Sequence, residues 1–485
     1  MTLPQIETLG HYVDGSWIAD APMFASTSPA FPQHIIGRFP SGAAHVDSVV
    51  DAARRAQRAW RTRPLADRIR ALETLSLAFA EAEESIAQLV TAEMGKPITE
   101  ARGEARALSG KVGVTARAAE RDLQPLRPEG VSGYATWRPL GVMAVIGPFN
   151  FPVHLSNGHI IPALMAGNAV ILKPSETTPA CAQRYVEIWD SVARDVGIPR
   201  ALLQLVQGAG DVGAALAEHP NVDAVAFTGS YQVGVKIRQA CAHQTGKLIA
   251  LELGGKNTAI VMRDADVEAT AAIIAQAAFA TTGQRCTATS RVVVHSAVAD
   301  ALVEALAEHC QKWTPGNPFA DDTRMGPLAT ARARDHFVSA QENLTGLRTI
   351  VAGGHADAPS GTSADGYWVK PALHQVTDID LAGDRLIEEL FGPEILVESV
   401  SDDASLVHRA NATPYGLAMS VHSTSQARFD AIRDELEAGI VNWNVPTAGA
   451  SGALPFGGLK HSGNHRPAGA TAIRYCVAPV ATLLG

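Results

Sequence analysis

From Asp47 to about Arg121, apolar residues recur at three- and four-residue spacing. Ala- and Leu-rich stretches such as Ala71-Leu72-Glu73-Thr74-Leu75-Ser76-Leu77 predict a run of amphipathic helices. Helices of this kind need a face to bury, and a sheet is the expected partner. Beyond Gly141 the pattern alternates. Val142 to Ile146 reads as a strand, Asn157 to Ala166 as a helix, Ala169 to Leu172 as a strand and Ala180 to Val196 as a helix, with further strands at Leu202 to Val206 and Ala224 to Phe227. A second alternating block runs from Thr258 to about Trp443, with Thr258 to Met262 and Arg291 to His295 as candidate strands. This order predicts an α/β fold of mostly parallel, doubly wound open sheets, with ligand crevices at the carboxyl ends of the strands. Asn150, Lys173 and Thr228-Gly229-Ser230 then share one rim, and Cys286 falls at the rim of the second block.

A chain of 485 residues supports two or three domains. With 46% hydrophobic and 18% charged residues, and glycine and proline scattered along the chain, neither disorder nor a fibrous repeat is indicated. A net charge of -9 argues against a nucleic-acid footprint, and Arg54, Arg55, Arg58, Arg61 and Arg63 lie on a helical pattern as a solvated face. Five cysteines at unpaired spacing make no disulfide framework, so a reducing compartment is expected. Cys181, Cys241, Cys310 and Cys476 read as small buried hydrophobes. The 16 histidines form no ligand cluster along the sequence, so no metal is expected. Met1 to Glu7 shows no secretory pattern and no apolar run is long enough to cross a bilayer, which together predict a cytoplasmic protein without membrane contact.

Three short runs carry chemistry. Cys286 lies in Gly283-Gln284-Arg285-Cys286-Thr287-Ala288, Glu252 in Leu251-Glu252-Leu253-Gly254-Gly255-Lys256-Asn257, and Asn150 in Pro148-Phe149-Asn150-Phe151-Pro152. A thiol nucleophile, a carboxylate base and an amide donor are the groups needed to oxidise an aldehyde through a thioester. Gly208-Ala209-Gly210-Asp211-Val212-Gly213 fits the dinucleotide fingerprint, but the strand about twenty residues on ends in Phe227-Thr228-Gly229-Ser230 without the acid that should bind ribose. Gly210 and its neighbours therefore read as a turn near the adenine. Lys173-Pro174-Ser175-Glu176 makes a better ribose clamp, and the Glu176 carboxylate would repel the 2′-phosphate of NADP, so NAD is favoured. Small residues at Gly229 and Ser230 open a helix whose amides can approach a pyrophosphate.

From about Asn150 to Gly463 these runs resemble the NAD(P)-dependent aldehyde dehydrogenase superfamily in order and spacing. The resemblance implies that Cys286 attacks the aldehyde, that Asn150 and the Cys286 amide hold the oxyanion, and that Glu252 activates the hydrolytic water; it implies hydrolysis over transfer to coenzyme A. It further implies that Glu389 holds the nicotinamide ribose, that Phe391 packs by the nicotinamide, and that Pro148, Phe149, Phe227 and Thr228 line the cofactor. The implied architecture is a cofactor domain (1–130 and 142–253), a catalytic domain (254–445) and a β-flap and tail (131–141 and 446–485) for a homodimer or homotetramer.

The tail runs Gly439 to Thr447 and Pro455 to Pro467, with Asn157-Gly158-His159, resemble succinylglutamate-semialdehyde dehydrogenases of arginine catabolism. This implies an acidic semialdehyde as substrate. Phe151, Leu155, Gly158 and Thr287 are expected to shape the site, and His159, Arg285, Asn444, Ser451 and Arg466 to offer donors to carboxylates. Leu253 and Lys256-Asn257 depart from that subfamily, and Thr287-Ala288-Thr289-Ser290 look like generic semialdehyde enzymes, so 2-oxoglutarate semialdehyde is an alternative. A non-catalytic binding or structural protein of the same descent would carry a damaged triad, whereas Asn150, Glu252 and Cys286 are intact.

Overall fold

Seven strands form the first sheet of this computed structural model, which describes residues 3–20, 22–342 and 344–485. Met1 and Thr2 of the N-terminal stretch lie outside the described residues. In chain order the strands are β1 (His11–Val13), β2 (Ser16–Ile18), β3 (Val142–Ile146), β4 (Ala169–Lys173), β5 (Leu203–Leu205), β6 (Ala224–Thr228) and β7 (Leu248–Glu252), and they lie side by side as β7-β6-β3-β4-β5-β1-β2. Strands β3 to β7 are parallel, whereas β1 and β2 join antiparallel. Every residue of β3, β4 and β6 is buried, as expected of strands covered on both faces. The chain runs from β3 outward to β5, then crosses to β6 on the other side of β3. That reversal opens a crevice at the carboxyl ends of β3 and β6.

The second sheet comprises β8 (Asn257–Val261), β9 (Thr289–His295), β10 (Leu347–Val351), β11 (Ala372–Val376), β12 (Glu394–Val400), β13 (Ala418–His422) and β14 (Ile440–Trp443), in the order β10-β11-β12-β9-β8-β13-β14. All pairings are parallel except β10 with β11. Only Leu253 to Lys256 separate β7 from β8, so the two sheets meet where Glu252 ends the first.

Three helices matter for the site: α1 (Ile98–Asp122), α2 (His154–Ala166) and α3 (Tyr231–Ala240). No residue of its own caps the start of α2; instead, Glu104 of α1 accepts the Val153 and His154 amides at 3.1 Å. Among the described residues no helix is long and apolar enough to cross a membrane.

The C-terminal segment, expected wholly as flap and tail, divides. Ser462 to Asn464 run along the free edge of β7: Leu253 N donates to the Ser462 carbonyl at 2.9 Å, and the Asn464 side chain accepts from Leu251 N at 2.8 Å. Ala472, Ile473, Tyr475, Cys476 and Val477 are buried in the core of the first sheet. Only Val477–Leu483 pairs with Gly133–Pro139, as a two-stranded antiparallel ribbon.

Candidate active site

Cys286 follows a backbone turn that most residues avoid. Thr281, Thr282 and Gly283 adopt φ of 55°, 57° and 71°, three left-handed residues in succession. Gly283 is required, because a Cβ there would stand 2.3 Å from the Gly392 carbonyl. The strain is held by tethers on every side. Glu100 on α1 accepts the Thr281 amide at 3.0 Å, the Thr281 hydroxyl, and the Arg285 guanidinium at 2.7 Å. The Gln284 side chain accepts from Ala329 N at 3.0 Å, and the Asn257 amide donates to the carbonyls of Cys286 (2.7 Å) and Ala288 (2.9 Å).

Asn150 is buried beside this loop and spends one amide N–H on the Gln284 carbonyl at 2.9 Å. Its second N–H is free for another acceptor. Glu252 is buried, and neither carboxylate oxygen has a hydrogen-bond partner. Burial pushes its pKa well above the ordinary carboxylate value. Burial also pushes the Cys286 thiol up, and the charges of Glu252 and Glu389 add to that rise. Both groups are therefore harder to ionise than their exposed counterparts.

The residues expected to hold a dinucleotide gather at the carboxyl ends of β3, β4 and β6. Lys173 is buried at the end of β4, with its ammonium 3.4 Å from Glu176, which is 54% exposed. A Cβ on Gly229 would lie 2.4 Å from the Phe227 ring, so glycine alone lets the loop lie this close, and Ser230 caps α3. Gly210 opens a separate helix, Gly210–Glu218. Glu389 accepts from Gly255 N at 3.0 Å, and burial lifts its pKa to about 7. Phe391, at φ 54°, meets Phe149 edge to face, with ring centres 5.9 Å apart; Pro148 directly precedes Phe149. The Thr228 hydroxyl is hydrogen-bonded to His159 Nε2 at 3.1 Å.

Residues 17–479 match the aldehyde dehydrogenase family. The chain belongs to that family. Among its relatives, N-succinylglutamate 5-semialdehyde dehydrogenase 1 of Caulobacter vibrioides is 42% identical over 90% of this chain and 91% of its own length. A Burkholderia thailandensis N-succinylglutamate 5-semialdehyde dehydrogenase is 38% identical over 97% and 96%. The crystal structure of 1-pyrroline-5-carboxylate dehydrogenase from Thermus with bound NAD superposes with a TM-score of 0.90 at 27% identity, over 99% of this chain and 94% of that one. As an aldehyde dehydrogenase, the chain is an oxidoreductase that uses a nicotinamide cofactor.

In this aldehyde dehydrogenase the expected substrate residues do not form one set. Phe151 and Leu155 are half-buried near Asn150, and Phe151 is held between Lys96, 3.5 Å from its ring centre, and Arg285 at 5.3 Å. Gly158 borders open space: an added Cβ would meet nothing within 4 Å. His159, one residue on, faces the core instead. Its ring nitrogens are taken by Tyr475 (2.8 Å) and Thr228, and burial lowers its pKa to about 3, so it is a neutral structural histidine. Asn444 is likewise spent, with both ends of its amide on Ser423. Arg285 is paired with Glu100. Thr287 is buried, and its carbonyl accepts the Thr447 hydroxyl at 2.7 Å. Ser451 is exposed and takes the Ala453 amide, and Arg466 is exposed on left-handed backbone.

Sequence reasoning missed Glu100, Glu104, Lys96 and Asn257 as supports of the site. Glu100 and Glu104 stand four apart on α1, a spacing that puts them on one face, and this was the available signal. Lys256, a departure from the relatives' motif, is buried and donates to the Glu388 carbonyl at 2.8 Å. The fold also gathers His11, Asp20 and His45, which no local spacing announces. His11 Nδ1 accepts the Gln207 amide at 3.0 Å, which leaves Nε2 as the N–H facing Asp20 and makes it a poor metal ligand.

Proposed function

We propose that this chain is a hydrolytic, NAD-dependent dehydrogenase of an acidic semialdehyde, converting N-succinylglutamate 5-semialdehyde to N-succinylglutamate. The substrate reading rests on the relatives of that name, which match nearly the whole chain at 38% and 42% identity. The hydrolytic reading rests on one observation: a buried carboxyl at Glu252 with both oxygens free, within electrostatic reach of Cys286. Acyl transfer to another thiol would not need a base there.

In this reading Lys173 and Glu176 hold the adenine-side ribose, Gly229 and Ser230 the phosphates and Glu389 the second ribose, while Phe149 and Phe391 flank the nicotinamide. The half-exposed Glu176 carboxylate supports NAD over NADP, since a 2′-phosphate would meet like charge. When bound, the cofactor supplies the acceptor for the hydride that leaves the substrate carbon. Cys286 loses its proton to solvent and, as thiolate, adds to the aldehyde carbon; the new alkoxide is met by the free Asn150 N–H and the Cys286 backbone N–H. Once the thioester has formed, Glu252 takes a proton from water, which attacks the acyl carbon. The acid leaves and the thiolate is restored.

Five free cysteines support residence in a reducing cytoplasm. The exposed apolar Leu126, Val131, Leu483 and Leu484 on or beside the ribbon support assembly into a homodimer or homotetramer.

Two measurements test the reading. NADH production should favour N-succinylglutamate semialdehyde over 2-oxoglutarate semialdehyde and over simple aldehydes by about a hundredfold in kcat/KM; equal turnover of the others removes the substrate assignment and leaves the chemistry. Cys286→Ala should bind NAD without oxidising anything, and Glu252→Gln should give a burst of NADH and then stall. Full steady-state activity in either variant rejects the mechanism.

A further inference from the structure

Lys111 is a buried cation without a counter-ion. It lies on α1 with 8% of its surface exposed, and its ammonium donates to the Gly469 carbonyl at 2.9 Å. That bond uses one of three N–H donors. The other cations near Phe151 are neutralised by carboxylates: Lys96 by Glu104 at 2.6 Å and Arg285 by Glu100 at 2.7 Å. Among the described residues no carboxylate forms an ion pair with Lys111. Folded chains rarely leave a buried charge in this condition.

The surroundings suggest what would complete it. α1 and α2 run side by side in step, with Glu104 bonded to the Val153 and His154 amides and the Leu108 carbonyl bonded to Asn157. One turn further along, Lys111 is level with the residues just past Asn157. Helical side chains lean toward the N-terminus, that is, back along α1 toward the level of Asn157 and Gly158, and a Cβ at Gly158 would meet nothing within 4 Å. Gly469 pairs with Pro455, so the tail strands supply the third wall. His154, one turn before Gly158, has a buried Nδ1 without a partner; burial lowers its pKa, and the Lys111 charge adds to that lowering. Burial lowers the Lys111 pKa to about 8, which leaves it charged at neutral pH.

We propose that Lys111 binds the carboxylate of the acidic semialdehyde, which reaches it through the space that Gly158 leaves open, with His154 beside the anion. This inference rests on the acidic-semialdehyde reading given above. It moves the carboxylate contact from His159, whose ring nitrogens are both engaged, and from Arg285, whose charge Glu100 already neutralises, to a lysine without a counter-ion.

The test compares N-succinylglutamate semialdehyde with hexanal as a neutral aldehyde. In Lys111→Met, the ratio of their kcat/KM values should fall about tenfold or more, carried by KM for the acid, as expected for loss of a charge-assisted hydrogen bond. Lys111→Arg should recover most of the ratio. An unchanged ratio, with both substrates losing activity equally, would mean that Lys111 only ties the tail to α1, and the proposal is overturned. Should the methionine variant fail to fold, Gly158→Phe closes the approach instead and should raise KM for the acid more than for hexanal; equal effects overturn the proposal. If the wild-type enzyme itself shows no preference for the acid, the functional reading fails first and takes this inference with it.

Discussion

Glu252 is carried into the interior with both oxygens bare, and its chemistry and its cost come from the same burial. Its folded-state pKa is raised well above the ordinary 4.5, so above that pH the folded chain holds a proton that the unfolded chain has released. The stabilisation is full below the unfolded value and is lost as pH climbs through the raised one. Glu252→Gln removes the titration, so its melting temperature relative to wild type should climb as pH goes from about 5 to about 9. A constant offset over that range would show that the carboxyl is ionised throughout. Asn150, Glu252 and Cys286 stood out in the sequence because the chemistry expected of them needs specific residue types in short, recognisable runs. His159 was misread because neighbours on a helix point about 100° apart, so a residue beside Gly158 in sequence need not share its face. Asn257, which fastens the carbonyl of Cys286, was invisible in its role because its partners lie 29 and 31 residues away.

At the scale of elements, α1 sets the spacing of the reacting groups. Glu100 grips the nucleophile turn, and Glu104, one turn on, grips the start of α2 just after Asn150 and Phe151. Glu104 also neutralises Lys96, and both side chains are fully buried. Glu104→Leu strands that ammonium and frees two amides, and should cost about 3–5 kcal/mol. Lys96→Met combined with Glu104→Leu should recover part of that loss, because the orphaned charge is gone. Urea titrations of the two variants decide it: a double variant no more stable than the single one removes the charge argument. The fully buried strands Val142–Ile146 and Ala169–Lys173 were readable as continuous apolar runs bounded by glycine or proline. The three-residue strands His11–Val13 and Ser16–Ile18 were not, since alternation over so few positions carries no period, and the place of the first beside β5 is set by pairing with a residue nearly two hundred positions away.

At the scale of the molecule, the ribbon of Gly133–Pro139 and Val477–Leu483 is where the proposed assembly can be tested. Two paired strands are marginal on their own in water, and Leu483 at the outer end is 80% exposed. Removal of residues 477–485 should lower the mass seen by light scattering to that of one chain; an unchanged mass places the subunit contact elsewhere. The path of the tail also has a practical consequence. It runs from the edge of β7 beside Glu252, through the first core at Ala472 to Val477, and out along the ribbon, which ends two residues before Gly485. A load placed on the ribbon would therefore be carried along the same stretch of chain that borders Glu252.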